Sequence, residues 1–233
     1  MTAHPPTVLV TGANRGIGLE FVRQYLKDGW RVVAACRDPQ RAEALRALAS
    51  STLLVPIALD VTDGQSIAAA AHALEPEPIE LLINNAGIMG RAGQTLGAFD
   101  FTDWAEVLAV NTLGPLRMIE AFTGQLARGT RRLAVSLTSA MGSIGDTTSG
   151  TWCAYRSSKA ALNMSIKCAA LELASRGITC VAVSPGWVRT DMGGTHAPLS
   201  AAESVSAMRR LFDDLQLRDS GRFLSYDGRE CPW

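Results

Sequence analysis

Short apolar runs alternate with amphipathic stretches along most of the chain. The runs are TVLVTG from 7, WRVVAAC from 30, LLVPIAL from 53, IELLINN from 79, RRLAVSLTS from 131, GITCVAVS from 177 and GRFLSY from 221. Continuous apolar runs of this kind are typical of strands that are buried on both faces of a sheet. The stretches between them predict helices over 16–27, 39–49, 65–74, within 101–128 and from Tyr155 onwards.

Strands that alternate with helices predict a parallel sheet with right-handed crossovers. The predicted fold class is therefore α/β, a single doubly wound Rossmann domain over residues 1–233 with a mostly parallel seven-stranded sheet flanked by helices. The sequence contains no solenoid-length repeat, low-complexity tract or linker that would divide it.

Composition narrows the choice of partner. The 22 basic and 22 acidic residues cancel, so we expect a small-molecule partner rather than nucleic acid or an anionic membrane surface. No apolar segment has the length of a membrane helix, and the MTAHPP before the first strand is too short for a signal peptide, which predicts a cytoplasmic protein. Five scattered cysteines fit reduced thiols and offer no metal-binding spacing.

The segment TGANRGIG, which begins at Thr11, joins the first predicted strand to the first helix. Glycines here allow a tight turn and let the backbone approach a pyrophosphate at a helix N-terminus. The glycine pattern alone could be only a turn, but the strand before it and the helix after it favour a dinucleotide site. The predicted cofactor contacts in this loop are Gly12, Asn14, Arg15, Gly16, Ile17 and Gly18.

Arg37, directly after the second strand, bears on the identity of the dinucleotide. NAD sites place an acidic residue near this position on the ribose 2′-hydroxyl, whereas an arginine can bind a 2′-phosphate. Arg15 could reach the same group, so the sequence predicts NADP(H) rather than NAD(H). The alternatives are that Arg37 is a solvated charge and that Asp38 makes an NAD-type contact.

Two further strand ends supply predicted cofactor contacts at the same edge of the sheet. Asp60 could bind the adenine amino group while the backbone of Val61 reads the ring edge, although an aspartate here could equally cap the next helix. In NNAG the predicted contacts are Asn85, Ala86 and Gly87, and a simple turn is the alternative explanation for this segment.

Tyr155 and Lys159 stand four residues apart and share one face of a predicted helix. A free phenol has a pKa of about 10, so it is a poor acid or base at neutral pH without help. An ammonium about 4 Å away would lower that pKa, and burial would oppose the effect. We therefore expect Lys159 to tune Tyr155 for proton transfer.

The same helix has two apolar faces, which need two partners. Leu162, Ile166, Ala169 and Leu173 lie on the side of Tyr155, and Ala161, Met164, Cys168 and Leu171 lie on the opposite side. The first face is expected to pack on the sheet. The second face favours a homodimer or homotetramer, although another helix of the same chain could cover it.

Two more polar residues complete the predicted chemistry. Ser139 ends the fifth strand at the ligand edge, where its hydroxyl could polarise a substrate carbonyl. Asn111 lies in the middle of a predicted helix, where asparagine is a poor helix former. A bend with a bound water that relays protons from Lys159 is one explanation for Asn111, and simple polar exposure is the other.

These segments resemble the short-chain dehydrogenase/reductase family. TGANRGIG, NNAG, Ser139 with YRSSK, and SPGWVRTDMGG from Ser184 occur in the family's order over nearly the whole chain, and the GRFLSYDGRECPW and AMGSIGDTTSG segments are similar to the sniffer-like carbonyl reductase and C-factor subgroup. The resemblance implies a catalytic tetrad of Asn111, Ser139, Tyr155 and Lys159. It also implies cofactor contacts from Tyr155, Lys159, Pro185, Gly186, Val188, Thr190 and Met192.

The segment between Ser139 and Tyr155 is longer than in many members of that family and bears on the substrate pocket. An apolar rim that would suit a modestly hydrophobic ketone or aldehyde could be formed by Met141, Ile144, Trp152, Cys153 and Trp187, with Met192 beside them. Some of these side chains could instead only fill core space. The GGTHAPLS segment that follows Met192 is expected to be mobile and able to close over a ligand.

The sequence thus predicts an NADP(H)-dependent oxidoreductase that reduces a ketone or aldehyde, with Tyr155 as the general acid. The main alternative is a nucleotide-binding signalling or sensing protein of the C-factor type, in which catalysis is secondary. A hydrolase that uses Ser139 is the weaker alternative, because none of the three histidines, His4, His72 and His196, is obviously placed to activate the serine.

Overall fold

A computed structural model describes residues 5–233; the first four residues of the predicted domain, His4 among them, lie outside the described residues. Seven strands form one sheet. They are β1 (Thr7–Thr11), β2 (Arg31–Cys36), β3 (Leu54–Ala58), β4 (Leu81–Asn84), β5 (Leu133–Leu137), β6 (Thr179–Ser184) and β7 (Phe223–Ser225). All seven strands lie parallel in the order β3-β2-β1-β4-β5-β6-β7, so the predicted doubly wound α/β fold is confirmed.

In the described part of the chain, seven α-helices connect the strands. They are α1 (Gly16–Lys27), α2 (Glu43–Arg46), α3 (Gly64–Ala73), α4 (Phe101–Leu108), α5 (Gly114–Arg128), α6 (Cys153–Leu173) and α7 (Ala201–Asp214). Short helical turns at Ala109–Leu113, Ala140–Gly142, Ala174–Arg176 and Leu217–Asp219 complete the structure. Within residues 5–233, no helix has the length and apolar character needed to cross a membrane.

The strand order reverses between β1 and β4. From β1 the chain builds β2 and β3 to one side, and β4 to β7 then extend the sheet on the other. Ligands of open α/β sheets bind at the carboxyl ends of the strands near such a reversal. The phosphate loop after β1 and the NNAG segment after β4 therefore lie side by side.

Two hydrophobic layers cover the sheet. On one face, α1 and α7 pack through side chains such as Phe21, Val22 and Phe212. On the other face, α3, α5 and α6 pack through side chains such as Phe122, Leu162 and Ile166. The strands are buried on both faces because both layers are present, which explains their continuous apolar character.

Two helices differ from the sequence-based predictions. The helix predicted over 39–49 forms only as α2, because it begins without a side-chain cap at Ala42 and passes after Arg46 into tighter i to i+3 turns. The helix α7 was missed. Its signal is a capping box, in which Ser200 accepts a bond from the Glu203 backbone and the Glu203 carboxylate accepts one from Ser200.

The predicted bend in the middle of 101–128 is a π-helical turn, Ala109–Leu113, between α4 and α5. Asn111 lies in this turn and is fully buried, so the interpretation of Asn111 as an exposed polar residue is wrong. Single π-turns inside longer helices frequently occur at functional sites.

Candidate active site

The phosphate loop is held in shape by the NNAG segment. The Asn85 side chain donates to the carbonyl oxygens of Thr11 at 2.8 Å and of Gly12 at 3.1 Å. A methyl group on Gly18 would lie 2.2 Å from the Gly12 oxygen and 2.5 Å from the Asn85 amide, so no side chain fits there. Asn85 thus supports the loop itself, and its predicted contact with the cofactor stays a prediction.

Thr11 is a structural residue that sequence reasoning missed. Its hydroxyl accepts hydrogen bonds from the backbone N–H groups of Asn85 at 3.0 Å and Ala86 at 3.1 Å. A buried threonine at the end of β1 joins the two strand ends across the reversal of strand order. The available signal was a hydroxyl residue directly before the glycine loop.

The N-terminus of α1 has no side-chain cap, although Arg15 stands at the capping position with extended backbone. Backbone N–H groups at such a terminus attract an anion. Gly16 has φ of +54° and faces Thr190, where a methyl group would lie 3.4 Å from the threonine side chain. The glycines at 12, 16 and 18 thus leave a cradle beside an uncapped helix, and this geometry suits a pyrophosphate. Asn14 and Ile17 lie in the same loop.

Arg15 points toward the loop after β6. Its Nη1 lies 2.8 Å from Oδ2 of Asp191, and both side chains are largely exposed. The predicted reach of Arg15 toward a 2′-phosphate would require this ion pair to open.

Arg37 is exposed at the end of β2, close enough to Asp60 for its charge to help lower the pKa of that carboxyl. The carboxylate of Asp38 accepts a hydrogen bond from the backbone N–H of Arg41 at 3.1 Å. The acidic residue that could make an NAD-type contact is therefore engaged in a local turn.

Asp60 does not cap α3, because Asp63 does so by accepting from the Gln65 backbone. One oxygen of Asp60, Oδ1, accepts from the backbone and the hydroxyl of Thr62, at 2.9 Å and 2.7 Å. These bonds are the main reason that the pKa of Asp60 lies below its ordinary value. Val61 is buried beside Gly114 at the start of α5.

Tyr155 and Ser139 come together at the carboxyl edge of the sheet. Burial raises the pKa of the Tyr155 phenol, and a hydrogen bond with the Ser139 side chain opposes that rise. Ser139 also accepts a hydrogen bond from the backbone N–H of Met141 at 3.1 Å, which fixes its hydroxyl. At neutral pH the phenol therefore holds its proton.

Lys159 lies beneath the tyrosine and is buried. Its ammonium donates to the carbonyl oxygen of Leu137 at 2.8 Å and lies 5.7 Å from the centre of the Tyr155 ring. Burial lowers the pKa of Lys159 to about 8. The expectation that Lys159 brings the pKa of Tyr155 below its ordinary value is wrong in this arrangement, because burial of the phenol dominates.

Asn111 connects the π-turn to the site. Its side chain accepts from the Ile88 backbone N–H at 2.9 Å and donates to the Ile88 carbonyl at 2.8 Å and to Ser158 at 3.0 Å. A methyl group on Gly87 would lie 3.3 Å from Oδ1 of Asn111 and 3.7 Å from Nζ of Lys159. The four residues of the predicted tetrad thus converge, and Gly87 packs closely against two of them.

A cavity of about 160 Å³ opens above Tyr155. Its walls come from two segments of the chain: Met89, Arg91, Gly93, Gln94 and Thr95 on one side, and Thr151, Trp152, Cys153, Ala154 and Tyr155 on the other. Trp152 and Cys153 were predicted as substrate contacts. The 89–95 wall was missed, because nothing in its polar and glycine-rich sequence separates it from an ordinary loop.

Other residues of the predicted rim lie outside this cavity lining. Ile144 is 76% exposed, and Met141 lies in the turn after Ser139. Trp187 is half-exposed and donates through its indole nitrogen to the Gly193 carbonyl at 2.7 Å. Met192 is also exposed on that loop.

The loop after β6 is anchored at several points. Gly186 has φ of +79° and no room for a side chain, because Leu199 and Tyr226 crowd it. Val188 is buried and pairs with Leu199, and the guanidinium of Arg189 donates to the carbonyls of Ala197 and Pro198. The GGTHAPLS segment, expected to be mobile, is thereby fastened. Ser204 similarly holds the Pro185 carbonyl at 2.7 Å.

Two of the three histidines fall within the described residues, and neither is a base for Ser139. His72 lies on α3 with Glu75 as its neighbour, and His196 is exposed on the loop before α7. The Ser139 hydroxyl instead accepts a hydrogen bond from the Met141 backbone N–H and lies beside Tyr155. Over residues 5–233 the geometry gives no support to a serine hydrolase.

The sequence and the fold both have well-defined relatives. Residues 6–198 match the family model described as short chain dehydrogenase. C-signal of Myxococcus xanthus is 45% identical over 156 residues, which cover 67% of this chain and 93% of that protein.

Two solved structures superimpose over nearly the whole chain. An NADPH-bound carbonyl reductase from chicken fatty liver is 41% identical with a TM-score of 0.92, covering 99% of this chain and all of that one. The carbonyl reductase Sniffer of D. melanogaster is 29% identical with a TM-score of 0.93 and the same coverage.

Proposed function

Because this chain belongs to the short-chain dehydrogenase family of oxidoreductases, we propose that it is an NADP(H)-dependent carbonyl reductase that acts on ketones or aldehydes. The observation that carries the proposal is the buried Tyr155, which keeps its proton, lies beside Ser139 and lines a cavity. A phenol in this state is a proton donor for a carbonyl oxygen, and the hydroxyl of Ser139 can hold that oxygen. NADPH would supply the hydride for the carbonyl carbon.

Lys159 is proposed to assist the proton transfer from Tyr155. As Tyr155 gives up its proton, the nearby ammonium stabilises the phenolate that forms, because opposite charges at this distance attract in a buried site. Asn111 holds the π-turn in place through its hydrogen bonds to the Ile88 carbonyl and to Ser158. A water that relays protons from Lys159 is proposed to bind beside Asn111. In the proposed tetrad, Tyr155 donates the proton and Ser139 binds the carbonyl oxygen. Lys159 and Asn111 support them.

The cradle at Gly12, Gly16 and Gly18 suits the pyrophosphate of NADP(H), and Arg37 is the residue proposed to bind the 2′-phosphate. Three observations support NADP(H) over NAD(H): Arg37 is exposed at the strand end, Asp38 is engaged with Arg41, and the chicken relative binds NADPH. Asp60, Val61, Ala86, Gly87, Val188, Thr190 and Met192 are proposed as further contacts along the cofactor.

The decisive experiment is thermal denaturation with NADPH and NADH, followed by a panel of carbonyl compounds monitored through NADPH oxidation. We expect NADPH to raise the melting temperature more than NADH, and Tyr155→Phe to abolish turnover while NADPH binding persists. Absence of a thermal shift with either coenzyme would contradict the proposal.

The identity with C-signal favours a second candidate, a nucleotide-binding signalling or sensing protein. Tyr155→Phe separates the two candidates. A reductase loses its biological role with its turnover, whereas a sensor keeps its output as long as the dinucleotide binds.

A homo-oligomer is proposed from the outer face of α6. Met164 is 64% exposed and Leu171 is 69% exposed, and Cys168 lies between them on the same face. Burying this apolar face against a second copy would be favourable. Light scattering on the purified protein tests the proposal, and Met164→Glu with Leu171→Glu is expected to give a monomer.

A further inference from the structure

The segment after β7 turns back and reaches the loop that precedes Tyr155. Gly228, with φ of +85°, makes the turn, and the N–H of Cys231 then donates to the Phe223 carbonyl at 2.8 Å. A bridge between Leu224 and Glu230 shows that this return is antiparallel. Residues 229–233, called the return segment below, thus lie along the edge strand β7.

The return segment ends its path at Trp233, whose backbone oxygen contacts the loop of residues 143–151. That oxygen accepts from the N–H of Gly145 at 2.8 Å and from the Ser143 hydroxyl at 3.5 Å. The Trp233 ring packs on Phe223, with 5.8 Å between the ring centres. Because Phe223 is fully buried in β7, the ring fastens the return segment to the sheet.

The 143–151 loop connects this anchor to the substrate cavity. At its beginning, Gly142 is pressed against α6, where a methyl group would lie 2.8 Å from Cβ of Lys159. At its end, Trp152 has a left-handed backbone with φ of 59° and leads into Cys153 and Tyr155, which line the cavity. Residues 144–151 between these points are exposed, so the contact at Gly145 fixes the first part of an otherwise solvent-facing loop.

We propose that Trp233 is a positioning residue for substrate selection: it holds the 143–151 loop so that Trp152 and Cys153 bound the cavity above Tyr155. The inference rests on the proposed carbonyl reductase function. The return segment touches neither the phosphate loop nor the tetrad in the described contacts, so its effect is on which carbonyl compound fits.

Two pairs of variants test this role. Gly145→Ala places a methyl group 3.3 Å from the Trp233 oxygen and 3.7 Å from Pro232, whereas Gly150→Ala in the same loop meets nothing within 4 Å. Neither glycine has a positive φ, so neither substitution is strained by a left-handed backbone. Trp233→Ala removes the ring that fastens the return segment to Phe223, although the backbone oxygen remains. Trp233→Phe keeps an aromatic ring against Phe223.

The readout is KM and kcat for carbonyl substrates of increasing size, with NADPH affinity measured alongside. We expect Gly145→Ala and Trp233→Ala to raise KM by about 5- to 20-fold and to change the order of preferred substrates, with kcat altered by less than about twofold. Gly150→Ala and Trp233→Phe should match the parent protein, and NADPH affinity should be constant throughout.

The failures of the two proposals are distinguishable. An active parent whose selectivity is unchanged in both Gly145→Ala and Trp233→Ala overturns the inference alone, as does an equal loss of kcat for every substrate. If Trp233→Ala does not fold, Gly145→Ala against Gly150→Ala decides the question. A parent that binds NADPH but reduces no carbonyl compound overturns the proposed function, and the selection role falls with it.

Discussion

Arg15 of the phosphate loop and Asp191 of the loop after β6 form an ion pair, with 2.8 Å between Nη1 and Oδ2. Both side chains are more than half exposed, so the pair contributes little to folding stability. Its consequence is competition, because a guanidinium held by Asp191 is not available to a phosphate group.

Asp191→Asn is therefore expected to tighten NADPH binding by about two- to fivefold, which corresponds to the usual strength of an exposed ion pair. NADH, which has no 2′-phosphate, should bind unchanged. Fluorescence titration of both coenzymes measures the effect. Asp213→Asn, which breaks the similar pair with Arg131 at 2.9 Å, is the control. An equal gain for both coenzymes would contradict the competition.

Arg37→Asp is expected to weaken NADPH binding by about 10- to 100-fold, the range of a lost charge-assisted hydrogen bond, and to leave NADH binding equal or improved. Arg176→Asp makes the same change of charge at an exposed turn after α6, away from the ligand edge, and should affect neither coenzyme. Unchanged coenzyme preference in Arg37→Asp would show that Arg37 is only a solvated charge.

The buried Lys159 makes stability depend on pH. Its pKa is lowered from 10.5 to about 8, so between these values the unfolded chain binds more protons than the folded protein. The free energy of unfolding therefore increases with pH across that window. Between pH 8 and 10.5 the free energy of unfolding of the parent should rise by about 3 kcal/mol relative to that of Lys159→Met, as measured by urea denaturation. The tyrosines and cysteines that also titrate in this range are common to both proteins, so their contributions cancel in the difference. If the free energies of unfolding of the two proteins changed with pH in parallel, the lowered pKa of Lys159 would be refuted.

Gly18→Ala should destabilise the protein by more than about 3 kcal/mol and remove NADPH binding, because the added methyl group meets the Gly12 oxygen and Asn85. Gly64→Ala is the matched control, since it also changes the first turn of a helix but meets nothing within 4 Å. We expect that variant to be neutral or more stable by up to about 1 kcal/mol. Thermal denaturation of the two variants measures the difference. Similar losses of stability in both would show that the close contact of Gly18 with Gly12 and Asn85 is not the cause.

The strands were predictable because parallel strands buried on two sides leave a continuous apolar signature, as in TCVAVS of β6. The same logic placed Ser139 and NNAG at one edge, because parallel strands all end on the same side of the sheet. The helix predicted over 39–49 was too long, because apolar spacing does not reveal where capping fails and only α2 forms there. The capping box of Ser200 and Glu203 was available in the sequence and would have located α7.

The pKa of Tyr155 shows the limit of pairwise reasoning. Spacing on the helix placed Lys159 beside Tyr155, but the degree of burial of each group depends on how β5, α6 and the π-turn pack together. The 89–95 wall of the cavity likewise depends on tertiary packing, because its residues carry no periodic pattern.

The position of β1 at the reversal of strand order also has a consequence during synthesis of the chain. The phosphate loop is held by Asn85, which lies 74 residues beyond Thr11. At about 5 to 20 residues per second, a ribosome adds that interval in about 4 to 15 s. Until then the glycine loop lacks its supporting amide, so a nascent chain cannot complete the nucleotide cradle before β4 has emerged and paired with β1.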